Sequence, residues 1–228
     1  MSVAEIERAL REQKCPVCLE INNRVELFFR WFDIEYCHEF TMMELLARGG
    51  FCPRHGNRIA EIGSKLARTY EYITKERRER MEEVSKLVLA FRENRWRKTF
   101  NLLRKSYQKK LKRLLSFETL CPACTTEHEA RQFGVMKMAD FLKAEANRDQ
   151  YSNLPALCWT HMSDVLVVSE PEVALFLADC HRKQLARWEK DFAEYFRKMD
   201  YRYAHEPKGG EQHAWLKALK FFTGCTDK

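Results

Sequence analysis

A chain that sets out the same thiol and imidazole groups twice, at the same spacing, is constrained first by where those groups can meet. Here Cys15-Pro-Val-Cys18 is followed, 33 residues later, by Cys52-Pro-Arg-His55. Cys121-Pro-Ala-Cys124 is followed, again after 33, by Cys158-Trp-Thr-His161. The copies are offset by 106 residues, and they take up six of the nine cysteines and two of the seven histidines. A repeated CPxC-x33-CxxH is far more informative than one Cys-x-x-Cys. Each copy reads as a Cys3His metal site.

The chemistry suits that reading. Thiolates bind soft or borderline cations, and a tetrahedral zinc ion is filled by four S or N ligands at about 2.0–2.3 Å. Two ligands separated by two residues can hold one ion from a single helical turn. A cysteine at a helix N-terminus also has its thiolate stabilised by unpaired N–H groups and the helix dipole, and a proline just after it pre-forms the turn. Four protein ligands leave no open position for water, which marks a structural rather than a hydrolytic zinc. An iron–sulfur cluster is the alternative, although histidine ligation is less usual there. Disulfides would not explain why each copy ends in a histidine.

The linker leaves the pairing of half-sites open. A helix running from Pro16 to about Cys37 would be about 33 Å long, and the rest would have to bring the chain back over most of that length. Either that helix bends or ends early, or the copies exchange partners, with Cys15 and Cys18 meeting Cys158 and His161. Shorter loop closure favours ligands within each copy.

The remainder predicts an all-α protein. With 45% hydrophobic and 32% charged residues but only eight Gly and six Pro, the 228-residue chain has the balance of a helix-rich protein, and no strand pattern stands out. Ser2-Val-Ala-Glu5 is a capping box opening a first helix. Val25, Phe28, Phe29, Phe32 and Tyr36 recur along one helical face and predict core. Thr41-Met-Met-Glu44 reads as a second capping box, for a helix stopping at Gly49-Gly50. From Arg54 to Leu120 no proline intervenes, so one very long helix is expected, or two joined near Glu93-Asn94. A helix from about Pro171 to Met199 and a last one ending at Gly224 complete the plan. Between the copies Phe29 aligns with Val135, Phe32 with Met138, Tyr36 with Leu142, Phe51 with Leu157, Ile59 with Val165 and Ile62 with Val168. The expected architecture is a helical bundle of two pseudo-repeats, each stapled by a Cys3His site. Residues 1–115 and 116–205 form the repeats, and 206–228 a C-terminal helix packed on the bundle.

Charge is unevenly placed. The net charge is +7, and between Arg95 and Arg113 nine residues are Lys or Arg and none is acidic. Trp96, Phe100, Leu103, Tyr107, Leu111 and Leu114 share one stripe of that stretch, so a core helix with a solvated cationic face is the plain reading. Phosphate binding, an anionic membrane surface or an acidic protein are the alternatives. The start of the chain has acids where a secretory signal would be basic and then apolar, and no window has 18 uninterrupted apolar residues, so the expectation is a cytoplasmic protein without a transmembrane segment. Cys37-His38, Cys180-His181 and Cys225 share no spacing between copies and predict no third site, with His128 and His213 ordinary.

The tandem Cys-Pro-x-Cys then Phe/Leu-Cys-x-x-His plan, with an Asp200-Tyr-Arg-Tyr…Glu-Pro…Gly-Glu-x-x-Ala-Trp-x-x-Ala-Leu tail, resembles an uncharacterised family of helical prokaryotic proteins known as a domain of unknown function. The resemblance spans nearly the whole chain. It implies the eight ligands Cys15, Cys18, Cys52, His55, Cys121, Cys124, Cys158 and His161, and brings no established activity.

The functional expectation is a zinc-stapled scaffold or adaptor that binds a protein, or an acidic or nucleic-acid partner. The alternative is an iron–sulfur or metal-handling redox protein. No glycine-rich phosphate loop, Gly-x-Ser-x-Gly elbow or distinctive carboxylate pair speaks for an enzyme.

Overall fold

The computed structural model describes every residue except 37, 38, 62, 94–100, 117–120, 204 and 225–228. Among the described residues there are eleven α-helices and no strand. They are α1 (Val3–Arg11), α2 (Pro16–Trp31), α3 (Phe40–Arg48), α4 (Pro53–Ala60), α5 (Ala67–Glu93), α6 (Asn101–Leu115), α7 (Pro122–Phe141), α8 (Glu145–Asn153), α9 (Trp159–Val168), α10 (Pro171–Met199) and α11 (Ala214–Thr223). Among the described residues no helix is long and apolar enough to cross a membrane. The chain forms two compact units, one of Met1–Arg24 with Glu127–Lys228 and one of Val25–Thr126.

The first unit is built on a continuous apolar core. Ile6 and Leu10 from α1, Val17 from α2, Val135 and Met138 from α7, Leu142 just after it, Leu157 just before α9, Val165 from α9, and Val173 and Leu177 from α10 are all buried in it. The Ser2–Glu5 capping box is present, so α1 starts where its side chains can satisfy the free N–H groups. Gly134 lets α7 approach α2, because a Cβ there would stand 3.2 Å from Cγ1 of Val17. The 29-residue α10 starts with Pro171 in its first turn.

The second unit buries fewer apolar residues, among them Val25, Phe29, Phe32, Leu46, Ile59 and Leu66. Phe28, Phe29 and Phe32 pack on Phe51, with ring centroids 6.4, 6.4 and 5.4 Å away. The α2 stripe is therefore core as its spacing predicts. The end of that helix is looser than expected, since Phe32–Tyr36 form a π-helical turn.

Two local expectations are corrected here. Helix α3 is capped by Glu39, whose carboxylate accepts from the N–H groups of Thr41 and Met42 at 3.1 and 2.8 Å. A longer acid two residues upstream thus takes the role assigned to Thr41. The uninterrupted helix from Arg54 is broken as well: α4 stops at Ala60, and Gly63, at φ 68°, opens a short 3-10 turn before α5. An isolated glycine in a left-handed conformation ends a helix without proline. Helix α5 does end at Glu93, and the expected turn beyond it lies outside the described residues.

Of the aligned apolar pairs, Phe29, Val135, Phe32, Met138, Leu157, Ile59 and Val165 are buried, whereas Val168 is 53% exposed. Ile62 lies outside the described residues.

Candidate metal centres

All eight sequence-predicted residues come together, in two groups of four. Cys15, Cys18, Cys158 and His161 form one and Cys52, His55, Cys121 and Cys124 the other, with the donor atoms of each group within 4.8 Å of one another. Each group takes one half from each copy of the motif, so the expectation of ligands within a copy is overturned. The physical reason is that loop length is a weak arbiter. Closing loops of 140 and 72 residues instead of two of 34 costs about 2 kcal/mol more. Packing of the helices that carry the half-sites easily outweighs that, and the rise of α2 alone moves the chain about 20 Å between Cys18 and Trp31.

The four half-sites use one local device. Cys52 and Cys158 are the N-cap residues of α4 and α9, and Cys15 and Cys121 immediately precede α2 and α7. In every case the cysteine carbonyl accepts the first helical bond, from Leu19, Gly56, Thr125 and Met162 at 3.1, 2.8, 3.0 and 2.8 Å. That places the first sulfur at the positive end of a helix, with the second donor one turn along on the same side.

Within the first group, Nδ1 of His161 is 3.4, 3.3 and 3.3 Å from the sulfurs of Cys15, Cys18 and Cys158, and Cys18 and Cys158 are 3.8 Å apart. In the second, Nδ1 of His55 is 3.4, 3.5 and 3.4 Å from Cys52, Cys121 and Cys124, with Cys52 and Cys124 3.6 Å apart. A tetrahedral zinc would set edges of about 3.8 Å between sulfurs and about 3.5 Å from sulfur to nitrogen. Both groups match that frame, and neither contains a disulfide.

Electrostatics shows what a cation would do for the groups. In the first, burial pushes the Cys15 thiol up to about 12, while hydrogen bonds from Cys15 and Cys18 pull Cys158 far below the ordinary thiol range. In the second, burial pushes Cys124 up to about 12. Desolvation acts the same way at Cys52, but the backbone of His55 and the thiols of Cys124 and Cys121 outweigh it and lower the value. One sulfur in each group is ready to ionise and another resists, since three thiolates in contact repel unless a divalent ion neutralises them.

The surroundings differ. All four residues of the first group are buried, whereas Cys52 and Cys124 of the second are half-buried. Gly224 closes over the first: a Cβ there would sit 3.4 Å from the sulfur of Cys18 and 3.7 Å from that of Cys158. Its φ of 81° and ψ of 177° belong to a region that only glycine adopts readily. In the second group the ring of Phe29 packs 5.9 Å from His55, and Arg58 lies 4.5 Å over Phe29 while pairing with Glu26.

Among the described residues, the two groups above are the ones that could hold a metal ion. His181 is buried, with Nε2 2.8 Å from the Tyr151 hydroxyl and Nδ1 3.0 Å from Oε1 of Gln184, whose amide donates to the Pro155 carbonyl. Desolvation lowers its pKa to about 4, so it is neutral. No spacing signal in the sequence could have revealed this network, which joins residues from three segments. His128 contacts Gln132 at 3.0 Å, and His213 is exposed. Cys37, His38 and Cys225 lie outside the described residues. Several charges at the start of the C-terminal tail are matched internally: Arg197 bridges Glu194 and Glu206, Lys198 reaches Glu211 at 3.0 Å and the Pro207 carbonyl at 2.7 Å, and Arg202 pairs with Asp200.

A family model described as a family of unknown function, DUF6062, matches residues 3–228. An uncharacterized 23.9 kDa protein in the xynA 3' region of Caldicellulosiruptor sp. (strain Rt8B.4) is 29% identical over 62 residues, covering 27% of this chain and 30% of the relative. No solved structure matches.

Proposed function

The chain belongs to DUF6062, and we propose that it is a helical scaffold held together by two structural zinc ions, acting as an adaptor rather than through chemistry at the metal. The observation that carries this reading is the closed donor set, with three sulfurs and one imidazole nitrogen within 4.8 Å in each group. A zinc ion there would have no vacant position for substrate and would supply cross-linking of helix N-termini. An iron–sulfur cluster is the second reading, since the same thiolates suit it. The short separations favour one ion per group, because a cluster spreads its ligands over several irons. The 106-residue recurrence supports descent from a duplicated helical unit.

The test is elemental analysis and an absorption spectrum on protein purified without oxygen. Two zinc ions per chain and no absorption in the visible region are expected. Stoichiometric iron with a brown colour would replace this reading with the cluster.

A further inference from the structure

Helix α6 carries cations that the molecule does not use. Arg104, Lys105, Lys109, Lys110, Lys112 and Arg113 are all exposed, and among the described residues none of them forms an ion pair. No acidic residue occurs in α6. Some cations elsewhere are matched, as at Arg131–Asp164 or Lys198–Glu211, and others are single exposed charges, whereas α6 gathers six exposed cations within ten residues with no acid among them.

Their arrangement limits what they can meet. At about 100° per residue, Arg104, Lys105, Lys109, Lys112 and Arg113 occupy one half of the helix surface, along about 14 Å of axis. Tyr107, Leu111 and Leu114 fall in the opposite arc and are half-buried, with Tyr107 stacked on Phe91 of α5 at 4.0 Å. The apolar stripe is therefore occupied by the protein's own packing, whereas an interfacial membrane helix must insert that stripe into lipid. A protein partner is also disfavoured, because the cationic half presents one exposed apolar side chain, Leu115 at its end, rather than the aromatic or aliphatic cluster that protein interfaces are built around. A regular polyanion needs neither.

We propose that the exposed face of α6 binds the phosphodiester backbone of a nucleic acid. Lys and Arg would neutralise successive phosphates and release counterions, giving affinity with little sequence preference. This rests on the scaffold reading, since α6 lies in the chain between His55 and Cys121, two members of one metal group. The ion of that group would tie the two ends of the segment that carries the surface.

The experiment is fluorescence anisotropy of the zinc-loaded full chain with labelled 30-mer duplex DNA, single-stranded DNA and single-stranded RNA, and flotation with vesicles containing anionic lipid. Binding to at least one nucleic acid is expected, weakening with salt on a log–log slope of about −4. A K105E/K109E/R113E triple variant should bind at least about tenfold more weakly. K190E/K217E/K220E, equal in charge change and placed on exposed positions of α10 and α11, should lose much less. Metal content and helical circular dichroism of both variants confirm that they fold. Equal losses in the two variants, binding to vesicles alone, or no binding by protein that carries two zinc ions would overturn the proposal and leave the scaffold standing. Protein that binds nucleic acid but carries no zinc would remove the scaffold instead.

Discussion

The two Cys3His groups have the same donors, the same helix-start geometry and nearly the same interatomic distances, yet one is wholly buried and the other half-open. Cys15, Cys18 and Cys158 are part of the first unit's apolar core, beside Val17, Met162 and Phe221. Cys52 and Cys124 are half-buried, in a unit that buries fewer apolar residues. Donor geometry is thus set locally, by a cysteine at a helix start and a second donor one turn on, whereas accessibility is set by how much packing each unit can place around it.

The strongest way to break that comparison is to remove one sulfur from each. Cys158→Ser should cost one metal ion and at least about 5 kcal/mol, because it also leaves buried thiols without a cation. Cys52→Ser should cost one ion and clearly less stability. Equal melting temperatures for the two variants would show that burial is irrelevant. The pairing is tested alongside: Cys18→Ser should raise the alkylation rate of Cys158 while that of Cys52 stays at its wild-type value.

A second contrast concerns acid. His181 is held at about 4 by burial, below its ordinary 6.5, so the unfolded chain takes up the proton first. Its contribution is complete above about pH 6.5 and is lost as pH falls toward 4, by about 2 kcal/mol between pH 7 and 5. His181→Gln, which can still meet the Tyr151 hydroxyl, should flatten the melting temperature over that interval relative to the wild type. An unchanged slope would place the acid sensitivity elsewhere.

Two glycines compare the units at a finer scale. Gly224→Ala should destabilise by about 2 kcal/mol through a backbone conformation closed to other residues, since the added methyl would meet the Cys18 sulfur at an ordinary contact distance of 3.4 Å. Gly63→Ala, left-handed but with open space around it, should cost about 1 kcal/mol. Urea unfolding measures both. The smallest effect, in free-energy terms, is kinetic. Cys52 and Cys124 should react with iodoacetamide at least about tenfold faster than Cys15, Cys18 and Cys158, read by peptide mass spectrometry. Uniform labelling would remove the distinction.

All eight donors were legible from residue type and spacing, because thiol and imidazole groups at i and i+3 have few other reasons to recur. Helix α1, the Phe28–Phe32 stripe and the bounds of α10 were legible for a similar reason: caps, periodicity and a first-turn proline are local. Half-site pairing was not, since it turns on about 2 kcal/mol of loop entropy set against the packing of whole helices. The break at Gly63 and the cap by Glu39 show the same limit in miniature, as two acceptable local solutions differ by a contact that only the fold supplies. The Tyr151–His181–Gln184 chain left no trace in the sequence at all.

The exchange of halves also nests one group inside the other along the chain, with Cys52 to Cys124 enclosed between Cys15 and His161. A polypeptide leaving the ribosome completes the inner set when Cys124 emerges, 37 residues before His161 can complete the outer one. Metal loading during translation would therefore run from the inside outward, and the first cysteine pair made is the last to be secured.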